Sequence, residues 1–278
     1  MVRLAIWDTL PAEFFISGLS AGAVRLPVAL EIVRCSAPEA LEQLLSGEVD
    51  VALVPTLDVL LHNDEVDALP AVALSSWKHP YARIVLRQGF MQIGSLALDP
   101  RYAQEAFIAQ VVLQEHYGQT PQPVAYEDAT RDELLRGDED ACLLVGNDVP
   151  ALQTGLLTLD LGQEWYELAN YPMVWGLFAV RKGEGNPVLV KTLRRLARAA
   201  EAQREIWAQT REMTPELHAY FLENLRLRLD DLAMASLTEF REYLFYFQIT
   251  DEVPDLPLYT IPEDEEDEEE DEDEVPLL

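Results

Sequence analysis

Short apolar runs alternate with segments of helical period from the start of this chain, a pattern that builds parallel sheets covered by helices. Val2 to Trp7 reads as a strand, Pro11 to Leu19 as a helix and Val28 to Arg34 as a second strand. Ser36-Ala37-Pro38-Glu39 has the form of a capping box with proline in the first turn, so a helix is predicted through Ser46, ended by Gly47. Asp50 to Val54 is a short apolar strand stopped by Pro55, and Thr56 is placed to cap the helical turn that follows. A β-α-β-α-β unit thus fills the first part of the chain.

Strand-like Leu69 to Leu74 and Ala82 to Arg87 come next, joined by Ser75-Ser76-Trp77-Lys78-His79-Pro80. A second α/β unit is predicted from strand Ser95 to Leu98, helix Tyr102 to Tyr117, a strand at Pro123 to Tyr126, helix Ala129 to Arg136 and strand Ala141 to Val145. Met173 to Arg181 is a further strand, rich in residues that favour extended backbone. Asn186 to Gln209, Thr214 to Arg228 and Asp230 to Phe247 carry apolar residues at three- and four-residue spacing and read as helices packed onto the first lobe. The expectation is an α/β chain of two lobes, each a mostly parallel sheet flanked by helices. Residues 1–88 and 171–259 would form the first lobe and 89–170 the second, with 260–278 a solvated acidic tail.

Composition narrows the function. With 278 residues, 49% of them apolar, the chain can bury a sizeable core without disulfide staples. Fifty acidic residues against twenty basic ones give a net charge of -30, which argues against nucleic acid and membrane surfaces as partners. Glu263 to Glu274 is an unbroken run of twelve carboxylates, expected to stay extended and solvated, but the remaining body is acidic too. Cys35 and Cys142 stand far apart in apolar surroundings and read as buried reduced thiols. The N-terminus lacks an export signal and no apolar run approaches the ~18 residues of a membrane span, so a cytoplasmic protein is expected.

Several chemistries are absent as motifs: there is no GxxxxGKS/T phosphate loop, HExxH, GxSxG or complete GxGxxG. Gly183-Glu184-Gly185 reads as a turn, because Glu184 would repel a pyrophosphate. His62, His79, His116 and His218 are scattered without a second ligand at metal spacing, so neither metal nor cofactor is expected. What remains is a set of loop residues at the ends of predicted strands, where open α/β sheets bind ligands. They are Asp8-Thr9, Pro55-Thr56, Ser75-Ser76 and Gly146-Asn147, with Arg83 beside a strand. Each alone reads as a helix cap or turn former; together they point to a cleft.

An ordered set of motifs resembles the chorismate dehydratase family of the futalosine route to menaquinone. Leu45-Ser46-Gly47-Glu48-Val49-Asp50-Val51-Ala52-Leu53-Val54-Pro55-Thr56 is similar to that family's "L-x-x-G-x-V-D-V-A-L-I-P-S". Asp140-Ala141-Cys142-Leu143-Leu144-Val145-Gly146 resembles "D-A-x-L-L-I-G-D". Leu159-Asp160-Leu161-Gly162-Gln163-Glu164-Trp165 and Tyr171-Pro172-Met173-Val174-Trp175-Gly176-Leu177-Phe178-Ala179-Val180-Arg181 are similar to "D-L-G-x-E-W" and "L-P-F-V-F-A-x-W-A-V-R". The resemblance implies a two-lobed, periplasmic-binding-protein-like type II fold. It departs at the site: the family's "N-T-x-P" is Asp8-Thr9-Leu10-Pro11 here, the "R-S-V" serine is Ile84, and the "S-R-T-S" hydroxyls become Tyr102-Ala103-Gln104-Glu105.

The resemblance also implies a reaction, the cofactor-free loss of water from chorismate to give 3-[(1-carboxyvinyl)oxy]benzoate. Asp8 would then be the general base, with Thr9, Thr56, Ser75, Ser76, Arg83, Gly146 and Asn147 holding a small anionic metabolite. Two alternatives stand beside it: a non-catalytic or regulatory relative that binds a small metabolite in the same cleft, and a related enzyme of the same pathway acting on another substrate. Association of copies into a homo-oligomer is left open.

Overall fold

The computed structural model describes residues 1–21, 24–87, 92–152 and 155–262. Its first sheet has six strands in the order β11-β4-β10-β3-β1-β2, from β1 (Val2–Trp7), β2 (Leu30–Cys35), β3 (Val51–Pro55), β4 (Val66–Ser76), β10 (Met173–Arg181) and β11 (Leu225–Leu227). The second has five in the order β7-β6-β8-β5-β9, from β5 (Ala82–Leu86), β6 (Ser95–Leu98), β7 (Gln122–Ala125), β8 (Ala141–Val145) and β9 (Leu157–Asp160). Most strands of each sheet run one way; β10 and β11 oppose the rest of the first, and β5 opposes the rest of the second. Ala82–Leu86, expected in the first lobe, belongs to the second sheet, where it pairs with β8 and β9. The chain therefore crosses between the sheets at residues 77–81 and returns at residues 170–172.

The helices follow the apolar periodicity. α1 (Leu10–Ser17), α2 (Ala40–Leu45) and α3 (Thr56–Leu61) lie in the first unit, and α4 (Ala103–Val111), α5 (Arg131–Arg136) and α6 (Leu161–Ala169) in the second. The C-terminal part contributes α7 (Pro187–Ala202), α8 (Arg204–Gln209), α9 (Pro215–Ala219) and α10 (Asp231–Tyr246). The capping box forms as read: Glu39 Oε2 accepts from Ser36 N at 2.9 Å and Ser36 Oγ at 2.7 Å. The predicted helix at 102–117 closes with a π turn at Val112–His116, and the one at 214–228 gives way to a π turn and the edge strand β11. β9 and α6 add to the elements read from sequence; Leu157–Asp160 is too short a strand to show a period of its own.

Among the described residues, the larger of two apolar clusters runs through both sheets, with Trp165, Trp175, Phe178 and Phe240 fully buried, and a smaller one gathers Val85, Leu134, Cys142 and Leu144 in the second. α7 packs on β4 and α1 as expected of the first lobe. α10 does more: it contacts β10, while Phe240 meets Phe107 of α4 at 5.3 Å and Trp165 of α6 at 5.8 Å, so this helix joins the two sheets. After α10 the chain returns to the first sheet, Tyr259 N donating to Ala68 O at 2.9 Å. The run Glu263 to Glu274 lies outside the described residues.

Candidate functional site

A pocket of about 440 Å³ opens where the two sheets meet. From the first sheet come Trp7 at the end of β1, Asp8, Thr9 and Pro11 just after it, and Arg34, Cys35 and Ser36 at the end of β2. The second sheet supplies Tyr102 and Glu105 at the start of α4, and Val145, Gly146 and Asn147 at the end of β8. His79 and Tyr81 belong to the segment that crosses between the sheets. The N-terminal turns of α1 and α4 thus border one space from opposite sides, and that end of a helix favours negative charge.

The floor is aromatic and rigid. His79 stacks on Trp175 with centroids 3.8 Å apart, and Trp175 Nε1 donates to Ser76 Oγ at 2.8 Å. Trp7 lies over Gly176, where a Cβ would come within 2.7 Å of its ring, so only glycine admits this indole. The His79 backbone N–H donates to Asp160 Oδ1 at 2.7 Å, and the same oxygen accepts from Gln163 N at 2.9 Å, fixing the crossing segment to the start of α6. Among the described residues, four that line the pocket hold buried polar atoms with no hydrogen-bond partner: Trp7 Nε1, Thr9 Oγ1, His79 Nδ1 and the Tyr81 hydroxyl.

The charged groups divide by depth. The Asp8 side chain is 77% exposed at the mouth, with Arg34 at 3.9 Å. Glu105 is half-buried, and desolvation pushes its carboxyl up to about 7, with the Asp58 charge adding to the shift. Burial drives the His79 imidazole down to about 3, so it is neutral at physiological pH, and raises the Tyr81 phenol. Burial also raises the Cys35 thiol to about 11, followed by the Glu39 charge, and Cys35 Sγ donates to Ile6 O at 3.7 Å. This cysteine is an inert wall.

Of the residues singled out from sequence, Asp8, Thr9, Gly146 and Asn147 meet at this pocket, and Asn147 Nδ2 donates to Asp8 O at 2.7 Å across the junction of the sheets. Thr56, Ser75, Ser76 and Arg83 are not among its lining residues. Thr56 does not cap its helix; its hydroxyl is fully buried and donates to Val174 O at 2.7 Å, tying α3 to β10. Ser76 Oγ is held by Trp175, Ser75 is fully buried, and Arg83 pairs with Glu216 of α9. Trp7, Arg34, His79 and Tyr81 are not among the site residues read from sequence: Trp7 and Arg34 meet through the pairing of β1 with β2, and His79 and Tyr81 join them where the chain crosses between sheets.

The folded chain also gathers one histidine with carboxylates that the sequence leaves apart: His116, Glu164 and Glu167 present ligand atoms within 4.8 Å of one another. Their arrangement has a structural explanation. The Tyr117 hydroxyl donates to Glu164 Oε2 at 2.7 Å and His116 Nδ1 lies 3.4 Å from it, joining the end of the α4 segment to α6. Among the described residues no helix is long and apolar enough to cross a membrane.

Known proteins resemble this chain in sequence and in fold. A family described as "Menaquinone biosynthesis" matches residues 2–246. A chorismate dehydratase from Thermus thermophilus is 27% identical over 231 residues, covering 72% of this chain and 82% of that protein. Among solved structures, a protein from Archaeoglobus fulgidus superposes with a TM-score of 0.64 at 20% identity, over 90% of this chain and 98% of its own. The periplasmic aliphatic sulphonate-binding protein of Escherichia coli gives a TM-score of 0.66 at 12% identity, over 93% and 92% of the two chains. The fold is thus the two-lobed, periplasmic-binding-protein-like one.

Proposed function

This chain belongs to the menaquinone-biosynthesis family, and from that premise we propose that it is a chorismate dehydratase working without a cofactor. The observation that carries the reading is the set of unpartnered buried polar atoms on Trp7, Thr9, His79 and Tyr81 around one pocket. Leaving such a group unpaired costs about 1–3 kcal/mol each. The indole and the two hydroxyls are donors, so the ligand that recovers this energy is rich in oxygen acceptors. Chorismate offers two carboxylates, a hydroxyl and an ether oxygen. Arg34 and the first turns of α1 and α4 supply the positive field that a dianion needs.

The chemistry asks for a proton acceptor on one ring carbon and a proton donor on the departing hydroxyl. Asp8 takes the ring proton, and Glu105, which keeps its own proton up to about pH 7, gives it to the hydroxyl so that water leaves. One proton is gained and one lost, the carbon–oxygen bond breaks, and aromatisation of the ring drives the step. Gly146 and Asn147 hold the substrate from the second sheet, while the neutral aromatic floor excludes water.

A second reading is a relative that binds a small anionic metabolite without turning it over. Asp8 favours it, since it stands where the family's motif has asparagine and adds a negative charge at the mouth. The sulphonate-binding likeness in fold agrees with either reading. Incubating the purified protein with chorismate alone, in low and in high salt, and following loss of one water by mass spectrometry separates them. Formation of the enolpyruvyl benzoate supports the dehydratase; intact chorismate under both conditions, with binding seen by calorimetry, supports the metabolite-binding relative.

A further inference from the structure

Positive charge is scarce in this chain and unevenly placed: ten of its twenty basic residues lie between Arg181 and Arg228. On α7, Lys191, Arg194, Arg195 and Arg198 stand at positions i, i+3, i+4 and i+7, which puts them on one stripe of the helix. Arg194 and Arg198 line a shallow cavity of about 400 Å³ with Arg228 and the carboxylates Glu201 and Asp230, on the side of α7 that borders β4, and Arg228 pairs there with Glu201 at 3.1 Å. Arg194 donates to Pro70 O at 2.7 Å, which fixes the stripe beside that strand.

The described end of the chain arrives at the same place. Leu258 bridges to Ala68 of β4, and the Tyr259 ring fills the space over Gly185, just before α7 begins. Ile261 is 8% exposed, so the backbone is still seated two residues before the twelve-carboxylate run starts. From Lys191 to Arg198 the stripe extends roughly 10 Å along the helix. Twelve residues reach up to roughly 40 Å when extended. The last described residues therefore lie next to the start of α7, and the acidic segment that follows them in sequence has the reach to span the stripe and carries the opposite charge.

We propose that the basic stripe of α7, with Arg228, is the docking surface for the chain's own acidic segment Glu263–Glu274. Tethering gives the segment a high local concentration at this face, so many individually weak pairs add up without any second molecule. Docking partly neutralises the densest negative charge of a chain whose net charge is -30. This reading is independent of the reaction assigned to the pocket.

Zero-length carbodiimide coupling tests it on the full chain, because it joins a lysine amine only to a carboxylate in contact with it. The chain has three lysines, Lys78, Lys182 and Lys191. At low salt the expected product is a monomer in which Lys191 is coupled to the 263–274 segment. Its yield should fall at least about fivefold in 1 M NaCl, where the screening length shrinks to about 3 Å. R195E/R198E should lower the yield comparably with an unchanged circular dichroism spectrum; should that variant not fold, the salt series on the unaltered chain decides. Equal coupling to the three lysines, no coupling, or a salt-independent yield overturns the proposal. So does coupling found only in a covalent dimer, which would make the occupant a second copy.

Discussion

The side-chain amide of Asn147 donates to the backbone carbonyl of Asp8 at 2.7 Å, so a residue at the end of a second-sheet strand grips the loop after the first strand of the other sheet. One bond fixes the mouth of the pocket and the residue assigned as base. Asn147→Ala should leave the unfolding free energy within about 0.5 kcal/mol of the parent, as expected for an exposed site. It should weaken ligand binding about tenfold, read by calorimetry with chorismate. Unchanged affinity would remove Asn147 from the site.

Asp8→Asn tests the base directly. A positioned general base contributes about 10²–10⁴-fold, so turnover should drop by at least about 100-fold. Binding of chorismate should stay the same or tighten, since a negative charge leaves the mouth. Turnover and affinity both unchanged would reduce Asp8 to a loop residue.

Thr9 and Thr56 separate binding from framework. Thr56→Val should destabilise the fold by about 1–3 kcal/mol by leaving the buried Val174 carbonyl unpaired, with no change in ligand affinity. Thr9→Val removes a hydroxyl that has no partner in the fold, so it should weaken binding and leave stability unchanged or raised. Paired urea denaturation and calorimetry read both effects; the reverse pattern would contradict the assignment.

Glu105 and His79 should give opposite slopes of stability against pH. The folded Glu105 carboxyl sits near 7 against 4.5 ordinarily, so the native state binds the extra proton and stability falls as pH rises from about 4.5 to 7. The folded His79 imidazole sits near 3 against 6.5, so the unfolded state binds the extra proton and stability falls as pH drops from about 6.5 to 3. Relative to the parent, Glu105→Gln should gain stability between pH 5 and 8, and His79→Gln should lose its share of the acid sensitivity below pH 6. Urea midpoints across pH 4 to 8 check both signs.

Gly176→Ala should be among the most damaging small substitutions, because the added methyl meets the Trp7 ring at 2.7 Å with the Val54 carbonyl close behind. A loss of about 1–3 kcal/mol is expected for such overpacking. Ligand binding should fall with it as the indole is pushed from the floor, which thermal unfolding and tryptophan fluorescence would follow. Normal stability and binding would show that Trp7 is free to move.

The alternation of apolar runs and helical periods settled the α/β class and the position of most elements, because burying a strand between helices leaves a local mark on every few residues. The capping box at Ser36 and Glu39 was legible for the same reason, all its atoms lying within one turn. Asp8, Thr9, Gly146 and Asn147 could be picked out as strand-end loop residues, a position that sequence alone reveals. What sequence could not decide was contact between segments far apart in the chain. Thr56 and Asp8 look alike as loop residues, yet one is fully buried and tied to Val174 while the other stands at the pocket mouth. His79 and Tyr81 acquire meaning only because their segment crosses between sheets, bringing Trp7, 72 positions before His79, into the same pocket. Local patterns record local hydrogen bonding and burial; which strand pairs with which, and so which polar atoms are stranded together, is fixed only when the whole core closes.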